Sequence, residues 1–419
     1  MLVTKQGLGL AIIAIIDLMS FCSINVLSLF LSKEMTQIGA DLYIFELPVN
    51  FSALVTITSS LFLGLIIPKY RQRDLFVGAV VLSRTGSILF GVLYYYVTDE
   101  TFFTCLAYIL RGIEEAGACA YFISGYVLIF RSFCDHAGII RGFLECAVEI
   151  GTTIGPPVGD LFFTFKESGL PFYFVGIFTI FLALVGRCVL DEFFFTDTSK
   201  QYQSLTNFMQ IPAIIVTSCV VLTVSLTTSA LDPSLGEYLT NLLPFRKSDY
   251  VYLFIAAAFA FSTPAWNYLT EKLARFEWIM PLGLYLTGLA IILLELDLVC
   301  SDFDKYFKLI NVCMLGVCMA MSLAPTFRCL TTAAFENGYE NNVTTHSYVI
   351  STWTFMFSLG EILGPAVGIL VYQKYDFWVV CWMIATLNIL VGFLCTLFFY
   401  CKRNKRNICC KFNVTIHFK

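Results

Sequence analysis

Charge is scarce in this sequence. Asp, Glu, Lys and Arg together make up 13% of its 419 residues, about half of the roughly 25% that a soluble domain carries. That deficit excludes a water-soluble fold. Histidine is scarcer still, with three residues in all, and no CxxC pair occurs among sixteen cysteines, so neither a zinc cluster nor a redox pair is indicated. Most of the cysteines, among them Cys22, Cys119, Cys188, Cys219, Cys313, Cys318, Cys381 and Cys395, fall inside apolar runs and read as small packing residues. No nucleophile triad stands out, and no cofactor is implied. The net charge is −4, and no domain-wide basic stripe suggests nucleic acid as a partner.

What fills the chain instead is apolar, 58% of all residues at a mean hydropathy of +0.79. A helix crossing a hydrocarbon core of about 30 Å needs about 20 mostly apolar residues, and the sequence reads as twelve such stretches between short polar breaks. The expected fold is an all-α membrane protein, twelve transmembrane helices in two pseudo-symmetric six-helix bundles. The first apolar run, from Gly7 to about Leu31, lacks a small-residue cleavage site and reads as a retained helix. The longest interior polar stretch spans 191–210. It divides the chain into an N-terminal bundle over 1–190, a cytosolic linker over 191–210, a C-terminal bundle over 211–400 and a basic tail over 401–419. Loops on one side carry Lys69, Arg71, Arg73, Arg131, Arg141, Lys200, Lys272 and Arg275, and the tail begins with Lys402 and Arg403. The opposite loops carry fewer bases, Lys33, Lys166, Arg246, Lys247, Lys305, Lys308 and Lys374. This asymmetry places both termini in the cytosol.

A repeat supports the two halves. Gly151, Gly155, Pro156 and Gly159 in the fifth helix recur as Gly360, Gly364, Pro365 and Gly368 in the eleventh, 209 residues further on, as duplication of a six-helix unit requires. Glycines four apart make a flat face that another backbone can approach, and a proline removes one backbone hydrogen bond and lets the helix bend. One copy is compatible with plain helix packing in a membrane protein of any function. Two copies in register favour a pseudo-symmetric transporter.

Charged side chains inside apolar stretches cost about 2.5–3.5 kcal/mol each on insertion scales and mark functional positions. They are Asp17 in helix one, Arg111 with Glu114 and Glu115 in helix four, Glu145 and Glu149 in helix five, Asp232 in helix seven and Glu361 in helix eleven. Arg111 shares a helix face with Glu114 and Glu115, so an internal ion pair is the plain explanation there. Glu145 and Glu149 also share a face but repel one another; a carboxyl that takes up and releases a proton can couple proton movement to solute movement, while pairing of Glu149 with Arg111 across the bundle is the alternative. Asp232 precedes Pro233, where the seventh helix is expected to kink or break, and broken helices hold binding groups in transporters. A helix-end cap is the simpler role for it. An acidic cavity near the midplane selects cations, which points to an amine.

Assembled, these features resemble the major facilitator superfamily and, within it, the vesicular amine transporter family, above all its polyamine-transporting branch. Gly142-Phe-Leu-Glu145 running into Ile154-Gly-Pro-Pro-Val-Gly159 is similar to that family's fifth helix and antiporter motif. Leu231-Asp232-Pro233-Ser-Leu235 resembles its seventh-helix motif, and Pro325-Thr-Phe327, Glu336-Asn-Gly338 and Gly364-Pro365 resemble the polyamine branch around helices ten and eleven. The resemblance implies exchange of luminal protons for a cytosolic organic cation, with Glu145 and Asp232 carried over and Arg111 in the place of the superfamily's fourth-helix arginine. The gating loop after helix two has Pro68 where an Asp is usual; its second-half counterpart keeps Glu271 beside Lys272 but lacks the leading glycine. Asp17 stands about one turn from the helix-one acid of monoamine-transporting members. The implied partners are a small organic cation, protons and the lipid bilayer, for a monomer in an intracellular vesicle membrane or, failing that, the plasma membrane. A transport-inactive relative serving as receptor or scaffold is the alternative.

Overall fold

A computed structural model describes residues 2–38, 42–96, 100–133, 137–164, 170–190, 204–240, 249–295 and 301–416. Among these residues all regular structure is helical. The first six long helices are α1 (Leu2–Ile38), α2 (Leu42–Ile66), α3 (Gln72–Tyr96), α4 (Glu100–Ser132), α5 (Ala137–Thr164) and α6 (Leu170–Val189). A short α7 (Leu205–Met209) precedes α8 (Pro212–Thr240), α9 (Asp249–Lys272), α10 (Ile279–Leu294), α11 (Ser301–Leu323), α12 (Thr326–Glu336), α13 (Val343–Lys374) and α14 (Phe377–Ile416). Most of the linker expected over 191–210 lies outside the described residues. Its end is ordered: Ser204 caps α7, and Phe208 packs edge-on against Tyr339 at 5.5 Å.

Two proline positions behave differently from expectation. The seventh long helix is not broken at Asp232, since α8 stays helical from Pro212 to Thr240. Pro233 lacks one N–H, a loss that a packed transmembrane helix absorbs. The tenth segment, expected as one helix, is instead interrupted at Ala324–Pro325 and resumes as α12. With α11 and α12 counted as one interrupted segment, the described residues form twelve long helical segments. Ten stretches are long and apolar enough to cross a membrane. The other two helices, α5 and α9, carry Arg141, Glu145 and Glu149 and, in α9, Thr263, Asn267, Thr270 and Glu271. They pack on each other, and Arg141, Thr263, Asn267 and Thr270 are buried within the bundle, where protein replaces lipid around them.

Packing repeats after six helices. In the first half α1 packs on α5 and α6, α3 on α4 and α6, and α2 on α4. In the second, α8 packs on α13 and α14, α10 on α11 and α14, and α9 on α11. The halves meet where α5 lies on α9 and α2 on α13, a pair of contacts that the same six-helix shift interchanges. The repeated glycines do the same work in each half. Gly151 faces the Leu18 carbonyl and Gly159 lies beside Val26 on α1, while Gly360, Gly364 and Gly368 face Ser225, Ser229 and Ala230 on α8. A Cβ on Gly360 would stand 2.7 Å from Ser225 Cβ, closer than two carbons approach without movement. Gly155 is buried, as are its counterparts; Pro156 and Pro365 lie inside uninterrupted helices.

The halves are sealed at one face of the bundle, the one where α2 ends and α13 begins. There Ser347 Oγ donates to the Gly64 carbonyl at 3.0 Å, and Glu271 Oε1 accepts from the Ile139 amide at 2.9 Å. Gly64 also lies against Ser351, and Gly142 against Pro264 and Asn267. We call this the sealed face.

Candidate functional site

The charged residues inside the bundle fall into separate groups. In the first, Arg111 Nη1 donates to Glu114 Oε2 at 2.9 Å and Arg111 Nη2 stands 2.7 Å from Glu115 Oε1. Spacings of three and four residues put all three on one face of α4. Across the α3–α4 seam, fully buried Arg84 stands 3.7 Å from Glu114 Oε1. The close approach depends on small residues, since a Cβ on Gly117 would meet the Ser83 amide nitrogen at 2.7 Å. Two guanidiniums therefore face two carboxylates within the first half, and Arg111 pairs here and not with Glu149. Arg84 is absent from the sequence-based set of intramembrane charges, although a lone base in the apolar run of helix three was a legible signal.

The second group lies at the seam between the halves. Arg141, expected among loop bases, is 1% exposed within α5 and ion-pairs with Glu145 one turn on. Its guanidinium carbon stands 3.5 Å above the centroid of the Phe327 ring and 5.4 Å from that of Trp353, within range of attraction by the negative ring faces. Asn267 of α9 lies within electrostatic reach of Glu145 and packs against Gly142. Tyr126 and Phe130 of α4 flank Phe327 with centroids 6.4 and 5.7 Å away, and Trp353 Nε1 donates to Thr326 Oγ1 at 3.2 Å. Five helices, α4, α5, α9, α12 and α13, thus build one aromatic and charged cluster. The i, i+4 spacing to Glu145 was the signal that Arg141 belongs to it. Lys308, expected in a loop on the opposite side, is likewise buried, in α11, and donates to the Tyr238 hydroxyl at 3.1 Å. Each side of the loop count loses one base, so the charge asymmetry keeps its sign.

The third group consists of carboxyls held by hydroxyls. Thr152 Oγ1 donates to Glu149 Oε2 at 3.4 Å, and the Ser358 hydroxyl lies one turn before Glu361 on α13, within electrostatic reach of it. The 209-residue repeat carries Glu149 onto Ser358 and Thr152 onto Glu361, so acid and hydroxyl have traded places between the halves. Among the described residues no basic side chain pairs with either acid. Glu361 lies close enough to Glu115 for the two charges to interact across the halves.

The remaining candidates are dispersed. Asp17 is 1% exposed in α1, with Oδ2 lacking a hydrogen-bond partner among the described residues, and it lies within electrostatic reach of Tyr121 and Tyr126. Asp232 is exposed on α8 beside buried Leu231, Ser234 and Leu235. Glu271 bridges the halves through the Ile139 amide; Lys272 is exposed, 5.6 Å over the Tyr268 ring. No group of three or more metal-ligating side chains occurs among the described residues.

A family model described as Major Facilitator Superfamily matches residues 13–343. The chain is similar to the MFS-type transporter SLC18B1 of Rattus norvegicus, 23% identical over 357 residues that cover 84% of this chain and 78% of the relative. It is 24% identical to the Homo sapiens protein of the same name over 368 residues, 87% of this chain and 80% of that one. The Homo sapiens synaptic vesicular amine transporter is 20% identical over 291 residues, covering 68% of this chain and 55% of that protein.

Proposed function

Because the chain belongs to the major facilitator superfamily, whose members are membrane transporters and not enzymes, we propose that it exchanges organic cations, polyamines or monoamines, for protons by alternating access. The observation that carries this reading is a set of carboxyls within the helices, buried Asp17 and half-buried Glu149 and Glu361, that pair with no basic side chain among the described residues. A carboxylate enclosed in low dielectric is tolerated only when neutralised. Each such group therefore holds either a proton or a cation, and exchange of one for the other is antiport. The names of the relatives, a vesicular amine transporter among them, favour amines as the cation.

In this reading the bundles over 1–190 and 211–400 rock about the seams α5–α9 and α2–α13, which the sealed face closes in the present conformation. Asp232, exposed on α8, meets the cation from the opposite side, and Glu145 meets it at the seam. Arg111 and Glu114 hold α4 rigid behind them. Both termini face the cytosol, the membrane is that of an acidic vesicle, and the protein acts as a monomer.

Purified protein in liposomes with an acidic interior tests this directly. Labelled spermidine or a monoamine accumulates, accumulation collapses with the pH gradient, and Glu149→Gln, Glu361→Gln and Asp232→Asn each abolish gradient-driven uptake. Failure of spermidine, spermine and monoamines alike to accumulate rejects the antiport reading. Uptake that survives all three substitutions rejects the residue assignment alone.

A further inference from the structure

The Arg141 cluster has the composition of a binding site for an organic cation. A carboxylate, Glu145, meets the guanidinium on one edge; the Phe327 ring covers it at 3.5 Å and Trp353 stands 5.4 Å away. Asn267, from the other half of the molecule, packs beside Gly142 within electrostatic reach of the same carboxylate. Carboxylate plus aromatic faces is the chemistry that recognises protonated amines and guanidinium groups. The cluster also lies at the sealed face, since Gly142, the residue after Arg141, packs on Pro264 and Asn267.

Arg141 is poorly satisfied as a structural cation. It is 1% exposed, yet among the described residues Nε and Nη1 have no hydrogen-bond partner, and its ion pair runs through Nη2. A fixed structural arginine in such a place is normally held by several acceptors, because desolvated donors left unpaired are costly. Arg111 is held in that way, with Nη1 on Glu114 and Nη2 on Glu115; Arg84 shares the deficit at Nε and Nη1, so the deficit points to a ligand only at Arg141, where a carboxylate and aromatic faces converge.

We propose that Arg141 is a tethered occupant of a cation subsite formed by Glu145, Phe327, Trp353 and Asn267, filling it when the face is sealed and yielding it to the transported cation when the halves part. Arg141 is thus a competitor of substrate built into α5. The inference rests on the amine-transport reading for the identity of the cation, and the cradle itself is testable without it. The occupant couples binding to opening, because four helices from both halves contribute to the cradle, and a free cation that displaces the guanidinium also removes its bridge from α5 to α12 and α13. Since the competent state is populated only when Arg141 has left, the apparent affinity for substrate is reduced by the occupied fraction.

The test uses the purified full-length protein, with Arg141→Ala opening the cradle and Arg141→Gln as the variant that preserves more of the packed volume. Millimolar methylguanidinium, against sodium chloride at equal ionic strength, is expected to raise the melting temperature of Arg141→Ala by about 3 °C while leaving the wild type unmoved. Adding Glu145→Gln is expected to cancel the rise. Spermidine is expected to bind either Arg141 variant about tenfold more tightly than the wild type, whereas Arg141→Lys, which keeps a tethered cation, stays near the wild-type value. If methylguanidinium stabilises the variant and the wild type equally, or the rise survives Glu145→Gln, the subsite is refuted. If spermidine binds wild type and both variants alike, Arg141 is no competitor and the proposal fails with amine transport intact. If methylguanidinium rescues Arg141→Ala but no amine binds any form, the cradle stands and the amine reading falls.

Discussion

The two halves share one packing scheme but hold it together with different chemistry. In the first, the seam between α3 and α4 is closed by charges, Arg84 facing Glu114, which is shared with Arg111. In the second, the corresponding seam between α10 and α11 is closed by a neutral amide, Asn311 Nδ2 donating to the Ala290 carbonyl at 2.7 Å. Another neutral contact, Asn388 Nδ2 to Thr227 Oγ1 at 2.8 Å, ties α14 to α8. Duplication thus preserved the geometry of backbone approach, set by the glycines, and left the polar groups free to diverge. The seam between the halves shows the same divergence, with Arg141 and Glu145 supplied by α5 and aromatic faces by α12 and α13.

The difference predicts unequal sensitivity. Glu114→Gln leaves Arg84 and one edge of Arg111 without a countercharge at buried positions, and loss of about 3–5 kcal/mol of stability is expected, read as unfolding in mixed micelles. A loss below about 1 kcal/mol would show that solvent reaches the α3–α4 seam and that the contrast between halves is not one of buried charge.

The glycine faces predict equality instead. Gly151→Val and Gly360→Val each force apart a helix pair that touches through backbone, Leu18 in one case and Leu222 and Leu226 in the other. Each is expected to cost about 1–3 kcal/mol. The check is whether the two melting temperatures fall together; a large gap between them breaks the equivalence of α1–α5 and α8–α13. The smallest effect is expected at the neutral seam, where Asn311→Leu removes one hydrogen bond worth about 1 kcal/mol. If it matches Glu114→Gln in the same unfolding assay, the two seams are energetically alike despite their chemistry.

Much of the architecture was legible in the sequence because it depends on composition and periodicity. Twelve apolar stretches, the six-helix repeat and the glycine-proline motif all follow from residues counted along one dimension. Helix interruption was less legible. A kink or break is expected at Pro233 and none at Pro325, yet α8 runs unbroken through Pro233 and the chain leaves the helix at Ala324–Pro325, since a proline's effect depends on whether neighbours satisfy the freed carbonyl. The candidate acids were all visible as isolated charges in apolar runs, but their grouping was not. Arg141 read as a loop base because it stands near a helix start, and only its i, i+4 relation to Glu145 hinted otherwise. Its placement over Phe327 joins residues 186 positions apart, a pairing no local pattern carries.

The sequence by itself determined that this protein is a twelve-helix membrane bundle of two related halves, because the insertion of apolar segments and the repeat of small residues are local properties of the chain. Which carboxyls are matched and which stand alone was decided only by the tertiary structure. Coulomb attraction in a low dielectric acts between side chains that folding brings within a few ångströms. Arg111 therefore belongs to Glu114 and Glu115, Arg141 to Glu145, and Glu149 and Glu361 to hydroxyls.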